Sequence, residues 1–419
     1  MFKAAFSAVG CKLNQYEVQA MAEALEPHGI AVVPFEQVAD VYVINTCTVT
    51  GKADLSSRQL IRQAIRRAPE AKIIVTGCYA EIDKPSIEQI GIISFIGGNK
   101  SKKDVPRIIL ELLGIDSQPD SMAEMSISRM NGHSRAFVKV QDGCAEKCTY
   151  CVIWKARGRP VSRDPYQIIA EINKLHENGY NEIVLTGVHI GKYRNKADLS
   201  ELLKTILSET DISQIRLSSL KPNEFTEKLL ELAASEKRIC PHFHIPLQSG
   251  DDSVLERMGR KYSAESGHKL VNRLVQIRPE ATIGADFIVG FPGETQRNFA
   301  NTLAMVKDNP IHHLHVFSYS DRPGTPALTF PDKVSPQYKA ARRKALQKLG
   351  DIKKQNHLRR FIGQTLDTII EDTSESGHST GLTANFLKIK IMGESRPARQ
   401  LVRVHIQSAD AESLYGVMA

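Results

Sequence analysis

The chain has 419 residues, 42% of them apolar and 24% charged, enough for two or three globular domains. No apolar run approaches the roughly 18–20 residues that cross a bilayer, and the start MFKAAFSAVGC lacks a secretion signal, which predicts a cytoplasmic protein with no membrane partner. An odd seven cysteines argues against a fully paired disulfide framework and favours metal or chemistry in a reducing compartment, while the net charge of +8 leans weakly toward a polyanionic partner.

Residues 1–115 alternate apolar runs with helix-compatible segments, which predicts a doubly wound α/β domain. AAFSAVG, VYVINT and KIIVTG read as buried strands, and each runs into a cysteine: Cys11, Cys47 and Cys78. Ligands of an open parallel sheet gather beyond the carboxyl ends of its strands, so three cysteines far apart in sequence are expected to meet. Residues 116–133 lose the apolar pattern and read as a linker.

Alternation resumes over 134–336, where RAFVKVQDG, EIVLTGVHI, QIRLSSL, HFHIPLQ, TIGADFIVGF and HLHVFSYS are candidate strands separated by helix-length segments. Six such units predict a partial parallel (β/α)6 barrel with its chemistry at the C-terminal strand ends. Residues 337–356 form a basic linking helix; the run 337–360 holds nine Lys or Arg against Asp351. Short β-like runs over 357–419 predict a small β-barrel.

Directly after the first strand of the central unit, QDGCAEKCTYC places Cys144, Cys148 and Cys151 within eight residues. A structural zinc cage needs a fourth ligand, for which His133 and His189 are the available histidines. Three thiolates instead suit a four-iron cubane whose fourth iron stays open to a ligand. Cys240 reads as a core thiol, and His242 and His244 share one face of a strand without an obvious partner.

Cys-x-x-x-Cys-x-x-Cys, with Tyr150 before its last cysteine, resembles the radical S-adenosylmethionine (SAM) signature. VGCKLNQYE, INTCTVTGKAD, VTGCYAE, ARGR, FHIPLQSGDDSVLERMGRKY, DFIVGFPGET and FSYSDRPGTPA extend the resemblance over nearly the whole chain, to the radical SAM methylthiotransferases. GCKLNQYE, NTCTVTGKAD and LTGVHIG look most like the MtaB-type branch, which acts on threonylcarbamoyladenosine in tRNA; the others act on isopentenyladenosine in tRNA or an aspartate of ribosomal protein uS12. The resemblance implies two [4Fe-4S] clusters, one on Cys144, Cys148 and Cys151 that binds SAM and one on Cys11, Cys47 and Cys78 that carries sulfur. It also implies a TRAM-like terminal barrel, methylthiolation beside the anticodon by radical C–H activation, and SAM as both radical source and methyl donor. The expected partners are a tRNA anticodon stem-loop, an electron donor such as flavodoxin or ferredoxin, and a sulfur donor. A non-enzymatic iron–sulfur redox sensor that binds RNA is the alternative class.

Strand ends suggest SAM contacts at Thr186, Gly187, Gln248, Ser249 and Gly290. Arg58, Arg62 and Arg66 recur along one helix face, and Arg157 and Arg159 flank the cluster loop; these are the expected RNA contacts. The terminal segment from His357 holds seven basic and seven acidic residues, so charge gives no support for RNA binding there. Trp154 and Lys155 replace a common Ile-Pro-x pattern, and Lys221 stands where the tRNA-modifying branch usually has an acid. The first change touches the outer surface of the cluster loop and the second is expected to alter substrate contacts.

Overall fold

A computed structural model describes residues 1–116, 125–374, 377–393 and 395–419. The N-terminal unit is a five-stranded sheet of β1 (Lys3–Ala8), β2 (Ala31–Val33), β3 (Val41–Thr46), β4 (Lys72–Gly77) and β5 (Phe95–Gly97). Its order is β2-β1-β3-β4-β5 with every pair parallel. Both faces are covered, one core built on Tyr42, Ile44 and Ile61 and the other on Val43, Ile74 and Ile109. Strand order reverses between β1 and β3, which opens the crevice where such sheets bind ligands.

The segment 116–133 is only partly a linker. Residues 117–124 lie outside the described residues, but Ile127 and Met130 are buried in the central core.

The central unit holds β6 (Ala136–Asp142), β8 (Glu182–Gly187) and β11 (Gln214–Leu217), then β12 (His242–Gln248), β13 (Thr282–Val289) and β14 (His313–Ser318). All six candidate strands are present and parallel, in two sheets, β6-β8-β11 and β12-β13-β14, joined by an Ile215–Ile239 bridge. The short β7 (Val161–Ser162) pairs antiparallel with β6, and β9 (Arg194–Asn195) with β10 (Ala197–Asp198) forms a small hairpin. Alternation along each strand sends Ile283, Ala285 and Phe287 into the helical layer and turns the residues between them into the lumen.

The basic helix runs Pro336–Arg359, longer than expected, and buries Leu346, Gly350 and Leu358. It is therefore packed structure as well as connector. Behind it, β15 (Thr365–Thr373), β16 (Ser379–Thr383), β17 (Lys388–Ile391), β18 (Leu401–Ala409) and β19 (Leu414–Met418) close into a barrel, β15-β16-β17-β19-β18. That barrel docks against the N-terminal strand ends of the central unit: the Phe386 ring stacks on His242 at 4.2 Å, and Arg216 donates to the carbonyl of Ala384 at 3.0 Å. No helix among the described residues is long and apolar enough to cross a membrane.

Candidate active site

Cys11 follows β1, Cys47 follows β3 and Cys78 follows β4, so the switch point of the N-terminal sheet collects all three thiols. Cys47 feels the charge of both Cys11 and Cys78, and its burial pushes its thiol up to about 11. Two glycines make the convergence possible. Gly10 has φ +93°, and a Cβ there would come within 2.7 Å of the Cys47 sulfur. Gly77 has φ +107°, and a Cβ would lie 2.4 Å from the carbonyl oxygen of Thr46. Only glycine suits such positions.

The second triad sits on the loop after β6, where Gly143 (φ +74°) repeats the device: a Cβ would meet the Arg159 carbonyl at 2.1 Å. Cys151 feels Cys148 and Cys144, and burial lifts it to about 11. Partial burial also raises Cys144, but hydrogen bonds with His189 and the Glu146 amide outweigh it and hold this thiol below its ordinary value. His189 Nδ1 lies 3.6 Å from the Cys144 sulfur and its Nε2 pairs with Glu224.

The donor sets fit clusters better than single ions. Zinc–sulfur bonds of about 2.3 Å would draw thiolates to within roughly 4 Å of one another. Among the described residues no group of three ligand atoms within 4.8 Å of one another includes a cysteine. The thiols of each trio feel one another's charge, and no three of them stand at the spacing of a mononuclear cage. His133, the other histidine weighed for zinc, lies instead against the Phe137 ring.

Arg157 joins the two triads. Its guanidinium donates to Glu17 Oε1 at 2.9 Å, Asp142 Oδ1 at 3.0 Å and Asn14 Oδ1 at 2.6 Å, and its side chain is 2% exposed. Its charge reaches Cys11, Cys47 and Cys78, although it follows the other triad in sequence. Lys102 and Lys139 also pair with Glu17. Burial alone would raise the Glu17 carboxyl, but Lys102, Arg157 and Lys139 hold it well below the usual range. Asn99 ties the units further, donating to the Cys78 sulfur at 3.6 Å and to the Ala156 carbonyl at 2.7 Å. Arg322, after β14, donates to the Thr48 carbonyl at 2.9 Å and pairs with Asp54 at 2.7 Å. Glu17, Lys102, Asn99 and Arg322 were not identified from sequence; each is an ordinary polar residue until the fold brings it to a cysteine loop.

The expected RNA contacts divide. Arg157 has its charge committed to Glu17 and Asp142, and it lies at the wall of the same cleft as Arg159. Arg58 is also partly committed, donating to the Tyr79 hydroxyl at 3.1 Å. Arg62, Arg66 and Arg159 are exposed, and Arg159 lines a cleft of about 830 Å³ with Lys100, Lys103 and Arg163.

The expected SAM contacts all lie at C-terminal strand ends, and several are already engaged. Thr186 is buried, and a Cβ on Gly187 would come within 2.7 Å of the Gln141 carbonyl. Gln248 is buried with φ +65°, and the Ser249 hydroxyl lies 3.2 Å from that of Thr302. Gly290 (φ +72°) gives its space to Lys339, whose Cγ would be 2.3 Å from a Cβ there, so its close approach is to a helix. The ammonium groups of Lys147 and Lys155 lie 5.8 and 5.1 Å from the centre of the Trp154 ring. Lys221 pairs with Glu146 at 2.8 Å, which makes it a brace of the cluster loop.

Comparison with known proteins agrees with this geometry. Residues 3–97 match the uncharacterized protein family UPF0004, and residues 138–306 match the radical SAM superfamily. The threonylcarbamoyladenosine tRNA methylthiotransferase MtaB of Bacillus subtilis is 36% identical, over 98% of this chain and 94% of its own. The protein of the same name from Aquifex aeolicus is 37% identical over 96% of this chain and 100% of its own. The radical SAM methyltransferase TsrM of Kitasatospora setae, solved with cobalamin and a [4Fe-4S] cluster, superposes with a TM-score of 0.58 at 18% identity. That alignment covers 78% of this chain and 77% of TsrM, and shows a shared fold. The chain is thus a radical SAM enzyme whose cofactors are SAM and [4Fe-4S] clusters, and it belongs to the tRNA-modifying radical SAM methylthiotransferases of the MtaB type.

Proposed function

We propose that this enzyme converts N6-threonylcarbamoyladenosine at position 37 of tRNA, beside the anticodon, to its 2-methylthio derivative. Cys144, Cys148 and Cys151 hold the cluster that binds SAM, and Cys11, Cys47 and Cys78 hold the second. The observation that carries the reading is the pair of three-thiol sites, each without a fourth cysteine, linked through Arg157. Bound there, clusters and SAM supply the radical, the methyl group and the sulfur. The chain's own residues do the positioning. Arg157 and Lys102 place positive charge beside the thiols of the N-terminal triad, His189 orients Cys144, and Thr186, Gly187, Gln248, Ser249 and Gly290 shape the strand-end rim where SAM binds.

Arg159, Arg62 and Arg66 meet the phosphates of the anticodon stem-loop, which makes binding salt-dependent. An electron-donor protein of the flavodoxin or ferredoxin kind and a sulfur donor complete the cycle. Mass spectrometry of tRNA nucleosides from a strain lacking the gene tests the substrate. Loss of 2-methylthio-threonylcarbamoyladenosine is expected; loss of the isopentenyl analogue or of the uS12 aspartate modification would overturn the assignment.

A further inference from the structure

Away from the cysteines, the lumen of the central barrel carries a connected row of histidines. His244 Nε2 lies 2.9 Å from Asp286 Oδ1, and His315 Nδ1 lies 3.3 Å from the same oxygen. His315 Nε2 in turn lies 3.0 Å from His313 Nε2. These residues belong to three adjacent strands, β12, β13 and β14, and Leu314 and Val316 fill the opposite, helical side of β14. Alternation therefore turns His313, His315 and Phe317 into the lumen as one row. β14 is the edge strand of its sheet, and His315 and Phe317 are both close to half exposed, 48% and 45%. Two large lumen residues left open on an edge strand are a surface waiting for a ligand.

The helix Lys12–Glu23 of the N-terminal unit packs near β6 and β8 on the other half of the barrel. Lys12, directly after Cys11, feels Arg216 and Arg135, and His242 feels Lys12, His244 and His313 together. The lumen here is lined by hydrogen-bonding groups, with Asp286 held ionised by its two histidines and Arg216 paired with Glu182.

We propose that this row reads the modified adenine: Phe317 stacks on the flipped-out base, and His315, oriented by Asp286, exchanges its Nε2 contact with His313 for the polar substituent on N6. The proposal rests on the tRNA reading above and names the residues that would choose among N6-substituted adenosines. Bases unstacked from RNA are commonly held on aromatic faces. Residues two apart on a strand are separated by about 6.6 Å, which lets one row touch both the ring and its substituent. An N6 group with a carboxylate, a hydroxyl and a ureido link can pair with this lumen, whereas a prenyl group would leave its polar atoms unpartnered.

The test uses the reconstituted full-length enzyme with two anticodon stem-loops, one carrying N6-threonylcarbamoyladenosine and one N6-isopentenyladenosine. Wild type should strongly prefer the first. His315→Leu should reduce the ratio of kcat/KM between the two RNAs at least tenfold, chiefly through KM on the threonylcarbamoyl RNA. Phe317→Ala should lower kcat/KM on both RNAs and leave their ratio near that of wild type. SAM affinity and iron content of each variant separate recognition from misfolding. An unchanged ratio in His315→Leu, or SAM affinity lost in the same variant, would overturn the proposal. So would a stoichiometric non-iron metal released by Asp286→Asn. A wild-type enzyme with no preference for the threonylcarbamoyl RNA would instead sink the functional reading, a result distinguishable because it appears before any substitution.

Discussion

Single residues decide whether the thiols meet. Gly77→Ala forces a Cβ onto the Thr46 carbonyl at a left-handed backbone position, so the Cys78 loop must move. We predict that this variant keeps the cluster on Cys144, Cys148 and Cys151 and loses most of the other, read as about half the wild-type iron after reconstitution. Arg157 is the second decisive residue. Glu17 keeps Lys102 and Lys139 and Asp142 keeps Lys139 when Arg157 is removed, so neither carboxylate is stranded. Arg157→Met should therefore destabilise the protein by about 1.5–3 kcal/mol, the worth of a hydrogen bond to a charged group, in urea unfolding at pH 7. Glu17 and Asp142 both have carboxyls held below their unfolded values, so their contribution is present above about pH 4.5 and lost as pH falls further. Wild type should lose stability steeply on acidification below that point, and Arg157→Met less steeply, since one cause of the depressed values is gone. Cys144, Cys148 and Cys151 stand out in the sequence by their spacing, and Cys11, Cys47 and Cys78 by their place at the ends of three strands. The ion pairs of Arg157 were not legible: a basic residue beside a cluster loop looks the same in sequence whether or not a distant carboxylate such as Glu17 pairs with it.

At the scale of elements, hydrophobic alternation identified all six central strands and the three cysteine-bearing strands of the first sheet. It missed β7 and the β9–β10 hairpin, which are two residues per strand and too short to show a period. It also took 116–133 as a uniform linker, because Ile127 and Met130 are isolated apolar residues whose burial depends on the barrel beside them. The docking of the terminal barrel was invisible for a similar reason: Phe386 looks like an ordinary turn aromatic until it stacks on His242 and lies under Arg216, 5.1 Å from the ring. Phe386→Ala should loosen that interface by about 2 kcal/mol. Limited proteolysis should then cut between the helix Pro336–Arg359 and β15 faster than in wild type, with iron content unchanged.

The whole molecule presents two three-cysteine groups on different domains, drawn together by charge. The N-terminal sheet supplies one at its switch point, the partial barrel supplies the other on its first loop, and Arg157, Asn99 and Arg322 clamp the units. A redox-sensing RNA binder would need neither a second cysteine triad nor the half-exposed pair His315 and Phe317. The most direct test is anaerobic turnover of a Cys47→Ala protein on threonylcarbamoyladenosine-containing anticodon stem-loop, with SAM and a reductant. The account predicts that this variant still cleaves SAM to 5′-deoxyadenosine but forms no 2-methylthio product by mass spectrometry. Full methylthiolation by Cys47→Ala, with iron for only one cluster, would contradict it.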